Sequence, residues 1–298
     1  WNEILSTVKV GHMALLRNLR GIFKEIDDAE FCRTTMDSLK KGVPGGKQFP
    51  FRYYSAYNAV KYDNDVNCKT IILDALEKCM DIACDNMPIL KGKTMCLSDN
   101  SGSAWGTIPS EYGTVRVAEI GNLSSVITAR NSEEGYVGEF GDKLLVTPVL
   151  KRDGILSQAT AISKDQDDVV GGATENGIWL FFDKAIKNKE HWDNIFIYSD
   201  MQAGHGNLYG TPREYKRYKN LGFSINGGRY IDVAKLIDAY RSTVNPDVNV
   251  FCVQTAGYDN VLVPEYGYRT NVLYGWTGKE AVFAKTMIDF WDEKKQSK

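Results

Sequence analysis

Through the first ninety residues apolar side chains recur at three- and four-residue spacing, and after that they fall into short runs separated by such stripes. In HMALLRNLRGIFKEID, Leu15, Leu16, Leu19, Ile22, Phe23 and Ile26 form one apolar stripe, which predicts a helix. DDAEFCRTTMDSLKK (27–41) opens on acids and closes on two lysines, the charge order a helix dipole favours. GVPGGKQFP (42–50) carries three glycines and two prolines and predicts a break. Pro50 suits the first turn of a third helix, FRYYSAYNAVKY. A fourth runs through NCKTIILDALEKCMDIACD and stops near Pro88. Residues 1–88 therefore read as a helical segment, its helices in pairs like the end of a HEAT-like repeat array, although no segment recurs.

From residue 89 to 298 strand and helix alternate. KTMCLS (93–98) is a short apolar strand, VRVAEIGNLSSVITARN (115–131) an amphipathic helix, and YVGEFGDKLLVTPV (136–149) a hairpin about Gly141-Asp142. A helical stretch near 153–166 leads to the loop GGATENG and the helix IWLFFDKAIKN. NIFIYSDMQ (194–202) is a strand running out on an aspartate. YIDVAKLIDAYRSTV (230–244) is helical, VNVFCVQT (248–255) and NVLYGWTG (271–278) are strands, and KEAVFAKTMIDFWDEKK (279–295) is a closing helix. This order implies an α/β fold, Rossmann-like, with a mostly parallel, doubly wound sheet. Ligands of such sheets sit at the carboxyl ends of the strands, near the topological switch point.

Composition narrows the function classes. With 298 residues, 43% apolar, 25% charged and a net charge of −2, the chain has material for one large and one smaller core and no global pull toward nucleic acid or membrane. RNA binding must then come from a local patch, and residues 1–65 hold ten Lys and Arg against eight Asp and Glu. The apolar runs are too short to span a bilayer, and nothing at the start has the form of a signal peptide. The chain opens on Trp1, so its natural N-terminus is expected to lie upstream. Six cysteines without CxxC spacing read as reduced core thiols of a cytoplasmic protein, and three scattered histidines form no zinc signature.

The chemistry concentrates in CLSDNSGSAWG. Asp99 falls at the carboxyl end of the first strand, and Ser101 and Ser103, two residues apart, can present their oxygens in one direction around Gly102. Asp and Ser at a strand end also cap helices and make turns. Two further residues lie at matching junctions: Thr174 in the glycine-rich loop and Asp200 at the end of a later strand. Two carboxylates and three hydroxyls make a hard, oxygen-only site suited to Mg²⁺, or Mn²⁺ in its place, with water filling the remaining positions. No histidine, cysteine or lysine is poised beside them, so ligand capture through an open metal position fits better than catalysis. A metal-dependent hydrolase would have to draw its base from Glu175 or His205.

DNSGS, Thr174 and SDMQ together resemble the metal-ion-dependent adhesion site (MIDAS) of von Willebrand factor A domains. The resemblance implies that Asp99, Ser101, Ser103, Thr174 and Asp200 ring the ion, some through water, with Thr160 the weaker choice of threonine. The preceding MALLRNLR, FPFRYYSAYNAV and LKGKTMCLSDNSGS are similar to the junction in Ro-type ribonucleoproteins, where a ring of HEAT-like helices, the TROVE module, meets a von Willebrand A domain. Only about four helices of that module are present here. The resemblance implies a non-enzymatic RNA-binding protein of a small-RNA ribonucleoprotein, its partner a small structured non-coding RNA of the Y RNA kind. A protein partner would complete the metal shell with an Asp or Glu. The alternative is a metal-dependent protein-interaction module without RNA binding.

Candidate RNA contacts follow by position: His12, Arg17, Arg20 and Lys24 along the first helix, and Arg52 and Lys61 on the third. Such side chains hold phosphates and add little sequence selectivity, and they equally well line a solvated helix face. The long connection QAGHGNLYGTPREYKRYKNLGF (202–223) follows Asp200 directly and is expected to overhang the metal rim.

Overall fold

The computed structural model describes residue 3 and residues 10–110, 113–164, 170–172, 177–201, 222–225, 228–231, 233–257, 263, 266–276 and 278–297. The chain divides into two compact units, Trp1–Met87 with Gly154–Leu156, and Pro88–Asp153 with Ser157–Lys298.

The first unit is built on α1 (His12–Glu25), α2 (Ala29–Gly46), α3 (Pro50–Lys61) and α4 (Lys69–Cys84). The predicted stripe of α1 is its buried face: Leu15, Leu16, Leu19, Ile22 and Phe23. Asp28 caps α2, its carboxylate accepting the N–H groups of Glu30 (2.9 Å) and Phe31 (3.0 Å). Pro50 occupies the first turn of α3, where its missing N–H costs nothing.

One expectation is corrected here. The break placed at 42–50 begins only at Lys47, and α2 runs on through Pro44 to Gly46. The reason is tertiary. Gly42 and Gly46, one turn apart, form a notch that holds the imidazole of His12: an added Cβ would stand 2.6 Å from His12 Nδ1 at the first and 2.5 Å from Cδ2 at the second. Val43 between them is wholly buried. Close packing of α1 on α2 therefore outweighs the weak helix propensity of Gly and Pro. The helix ends where Lys47 turns left-handed (φ 47°).

The second unit carries a seven-stranded sheet in the order β10-β11-β9-β6-β1-β4-β5. Its strands are β1 (Leu90–Asp99), β4 (Ser132–Phe140), β5 (Leu144–Pro148), β6 (Asn194–Ser199), β9 (Asn249–Gln254), β10 (Tyr266–Gly267) and β11 (Thr270–Tyr274). The β11-β9-β6-β1-β4 core is parallel and both edges are antiparallel. One face buries Met95, Leu97, Ile195, Ile197, Val250 and Cys252 in a cluster with α7 (Gly177–Asn188) and α8 (Val233–Thr243). The opposite face meets α5 (Val117–Arg130), whose Thr128 Oγ1 lies 2.7 Å from Tyr198 Oη. Helices on both faces make the sheet doubly wound, as the alternation predicted. The helices α6 (Ile155–Lys164) and α9 (Glu280–Gln296) complete the order.

Two helix starts are corrected. Val115 and Arg116 belong to β3 (Gly113–Arg116), paired with β2 (Thr107–Ser110), and Tyr230 and Ile231 belong to β8 (Gly228–Ile231), paired with β7 (Gly222–Ile225). β-Branched and aromatic residues at these starts favour extended backbone once a partner strand is supplied. None of the six cysteines, all among the described residues, forms a disulfide, and five of them are buried. No described helix is long and apolar enough to cross a membrane.

Candidate metal centre and basic groove

The sheet order fixes where a ligand can sit. From β1 the chain passes through α5 to β4 on one side, while β6 lies on the other, so the switch point opens at the carboxyl ends of β1 and β6. Parallel pairing sets Ser98 opposite Tyr198, which brings Asp99 level with Ser199 and puts Asp200 at the rim.

Asp99 Oδ2 accepts the Ser199 hydroxyl (2.7 Å) and Oδ1 accepts the Ser101 backbone N–H (3.0 Å). Ser101 Oγ lies 3.3 Å from Ser103 Oγ, which in turn donates to Asp200 Oδ2 (3.2 Å). Four of the five sequence-predicted ligands thus converge. Asp99, Ser101 and Asp200 are buried and Ser103 is exposed, so the cluster opens to solvent on one side.

The backbone around the cluster is held from several directions. Gly102 opens a short 3₁₀ turn (Gly102–Trp105), and its N–H donates to the carbonyl of Gly172 (2.8 Å). The carbonyl of Asp200 accepts Gln254 Nε2 from the end of β9 (3.1 Å), and Met201 turns left-handed (φ 61°) with its N–H on Ser199 Oγ (3.1 Å). Sequence reasoning passed over Ser199 and Gln254. The signal for Ser199 was its place directly before Asp200, whereas Gln254 becomes visible only through the β6–β9 pairing.

The electrostatic strain of the cluster falls on Asp99. Burial, and then the Asp200 charge, push the Asp99 carboxyl up to about 6, against the pull of the Ser101 and Ser199 hydrogen bonds. Among the described residues no lysine or arginine pairs with Asp99. A divalent cation is the group that would relieve this pair, and the oxygen-only donor set suits Mg²⁺ or Mn²⁺. Thr174 lies outside the described residues, as do Glu175 and residues 202–221. Among the described residues no group of three or more His, Cys, Asp or Glu side chains is placed to hold a metal, so a centre here depends on its hydroxyls.

The six basic candidates of the helical unit separate into distinct settings. Arg17, Arg20 and Arg52 line one groove between α1 and α3, a cavity of about 250 Å³ with Leu16, Leu19 and Val60 among its apolar walls. Lys24 faces Asp63 (2.9 Å) and Asp65 (3.7 Å), and Arg20 Nε also reaches Asp63 (3.6 Å). Lys61 stands over the rings of Tyr57 and Tyr62. His12 fills the α2 notch. Its Nε2 is 2.7 Å from Tyr53 Oη, its Nδ1 is buried without a hydrogen-bond partner among the described residues, and burial lowers its pKa.

No family model matches the sequence, and no curated protein does. Among solved structures, the Ro (RSR) protein of Deinococcus radiodurans aligns with a TM-score of 0.67 at 14% identity, covering 94% of this chain and 53% of its own. Two structures of the PilB minor pilin of Streptococcus sanguinis, one of them a mutant, align at TM-scores of 0.36 and 0.35 with 12% and 14% identity, over 71% of this chain and 62% of theirs. The chain therefore spans about half the length of the Ro protein, and over nearly all of its own length it has that protein's fold.

Proposed function

We propose that the chain is a non-catalytic, Ro-like RNA-binding component of a small-RNA ribonucleoprotein, with a MIDAS-type centre in its α/β unit. The observation that carries the RNA reading is the likeness to the Ro protein over 94% of the chain. The groove of Arg17, Arg20 and Arg52 supplies a surface for it: guanidinium groups over apolar walls can hold phosphates and stack against a base. The metal reading is carried by the convergence of Asp99, Ser101, Ser103 and Asp200 at the switch point. Thr174, two residues beyond Gly172, is the fifth ligand in this reading. The ion supplies an open coordination position, and the chain's residues hold it there through carboxylate and hydroxyl oxygens. A partner's Asp or Glu would take that position, and a phosphate oxygen could imitate it. The RNA is of the Y RNA kind and the setting the cytoplasm.

The exposed face at Ser103 supports a second reading, a protein-interaction module that uses the metal without RNA. Mobility shifts with a small structured RNA at low salt separate the two. A shift that weakens in Arg17→Ala and Arg52→Ala upholds the first reading, and absence of any shift leaves the second. Calorimetry with Mg²⁺ and Mn²⁺ tests the centre: Asp99→Ala abolishes binding, and no binding by the unmodified chain at millimolar ion overturns the metal reading.

A further inference from the structure

Behind the metal cluster lies a polar network that the metal reading does not itself use. Asn122, the sixth residue of α5, is wholly buried. A buried amide in mid-helix is costly unless its hydrogen bonds are met, and asparagine has weak helix propensity. Here all four are met. Asn122 Oδ1 accepts from Ser98 Oγ (2.7 Å) and Asn100 Nδ2 (2.9 Å), while Nδ2 donates to Asn100 Oδ1 (2.9 Å) and Ser163 Oγ (3.0 Å). Gly121 lets the helix come this close, since a Cβ there would lie 3.0 Å from Ser98 Oγ.

Asn100 stands between two of the proposed ligands, Asp99 and Ser101, and is held by every polar group it has. Its N–H donates to the Phe140 carbonyl (2.8 Å), its carbonyl accepts Trp105 Nε1 (3.2 Å), and its Nδ2 also reaches the Ser98 carbonyl (3.1 Å). The reciprocal amide pair with Asn122 completes this set. Fixing Asn100 fixes the backbone directions from which Asp99 and Ser101 project. The bond to Ser163 ties the same amide to α6, the helix from which the chain sets out toward Thr174.

We infer that Asn122 is a positioning residue for the metal centre: through the amide pair with Asn100 it orients Asp99 and Ser101 without touching the ion. This rests on the metal reading above. A buried hydrogen-bonded network of this kind holds one geometry, and outer groups that orient metal ligands typically set affinity by about ten- to a hundredfold.

The test is Mn²⁺ titration of the full chain by calorimetry, with melting followed in EDTA. Asn122→Ala and Asn100→Ala each weaken Mn²⁺ binding by about tenfold or more, and the double variant is no weaker than either alone. Asn100→Ala leaves α5 untouched, so the question stays answerable if Asn122→Ala fails to fold. Thr128→Val removes another buried bond of the same helix, to Tyr198, and serves as the control. It lowers the melting temperature and keeps Mn²⁺ affinity within about twofold of the parent. Parent-like affinity in Asn122→Ala or Asn100→Ala overturns the positioning role while the metal centre stands, as does equal weakening in Thr128→Val. No Mn²⁺ binding by the parent chain overturns both.

Discussion

Replacing Asp99 by asparagine should stabilise the metal-free protein while destroying its affinity for the ion. Asp99 is buried and stands in the field of Asp200, and its carboxyl is raised from 3.8 to about 6. A rise of that size means that the ionised form is held in the fold at a penalty of roughly 3 kcal/mol at neutral pH. Asparagine removes the charge and keeps an acceptor for the Ser101 N–H, but it leaves the Ser199 hydroxyl without its carboxylate, at a cost of about 1 kcal/mol. The net gain is roughly 1–2 kcal/mol, equivalent to a rise of about 3–6 °C in Tm for a unit of this size. Melting in EDTA at pH 7.5, followed by tryptophan fluorescence, reads it, because five of the six tryptophans (Trp105, Trp179, Trp192, Trp276 and Trp291) lie in the α/β unit. Millimolar Mg²⁺ then raises the Tm of the parent by mass action and leaves the variant unchanged. A variant that melts below the parent in EDTA, or that still gains from Mg²⁺, would refute the account of a buried Asp99 carboxylate that a cation relieves.

Other outcomes separate packing from binding in the helical unit. Gly46→Ala places a methyl against the His12 ring and costs about 1–3 kcal/mol by overpacking, whereas Gly21→Ala, with nothing within 4 Å, gains about 0.5–1 kcal/mol of helix propensity; denaturant titration followed by circular dichroism compares them. His12 has a lowered pKa, so below about pH 6.5 the unfolded chain binds the proton that the fold refuses. Its stabilising contribution is present above that value and is lost as pH falls through the lower folded value. Melting between pH 7.5 and 5 should fall more steeply for the parent than for His12→Gln, and parallel slopes would remove His12 as the cause. Arg17→Ala and Arg52→Ala should each weaken RNA binding and reduce the slope of log K against log salt by about one. An unaltered slope would place the phosphates elsewhere.

Much of this protein was legible in the sequence because the deciding physics is local. The stripe from Leu15 to Ile26 reports one helix face wherever that helix packs, and the alternation after Pro88 leaves few arrangements other than a doubly wound sheet. DNSGS could be placed at a strand end because KTMCLS is apolar and the hydroxyls follow it at once. What required the tertiary structure was every relation across distance. Asp200 meets Ser103 only because β6 pairs with β1 in the register that sets Tyr198 against Ser98. Gly42 and Gly46 look like a break by propensity alone, and they continue the helix because a ring from α1 fills the notch they leave. His12 and Arg17 were equivalent as basic residues on one helix, and packing assigned the first to a part-buried hydrogen bond and the second to an open groove. Periodicity and propensity are properties of neighbours along the chain. Coordination, burial and charge balance belong to neighbours in space, and these the sheet order and helix packing decided.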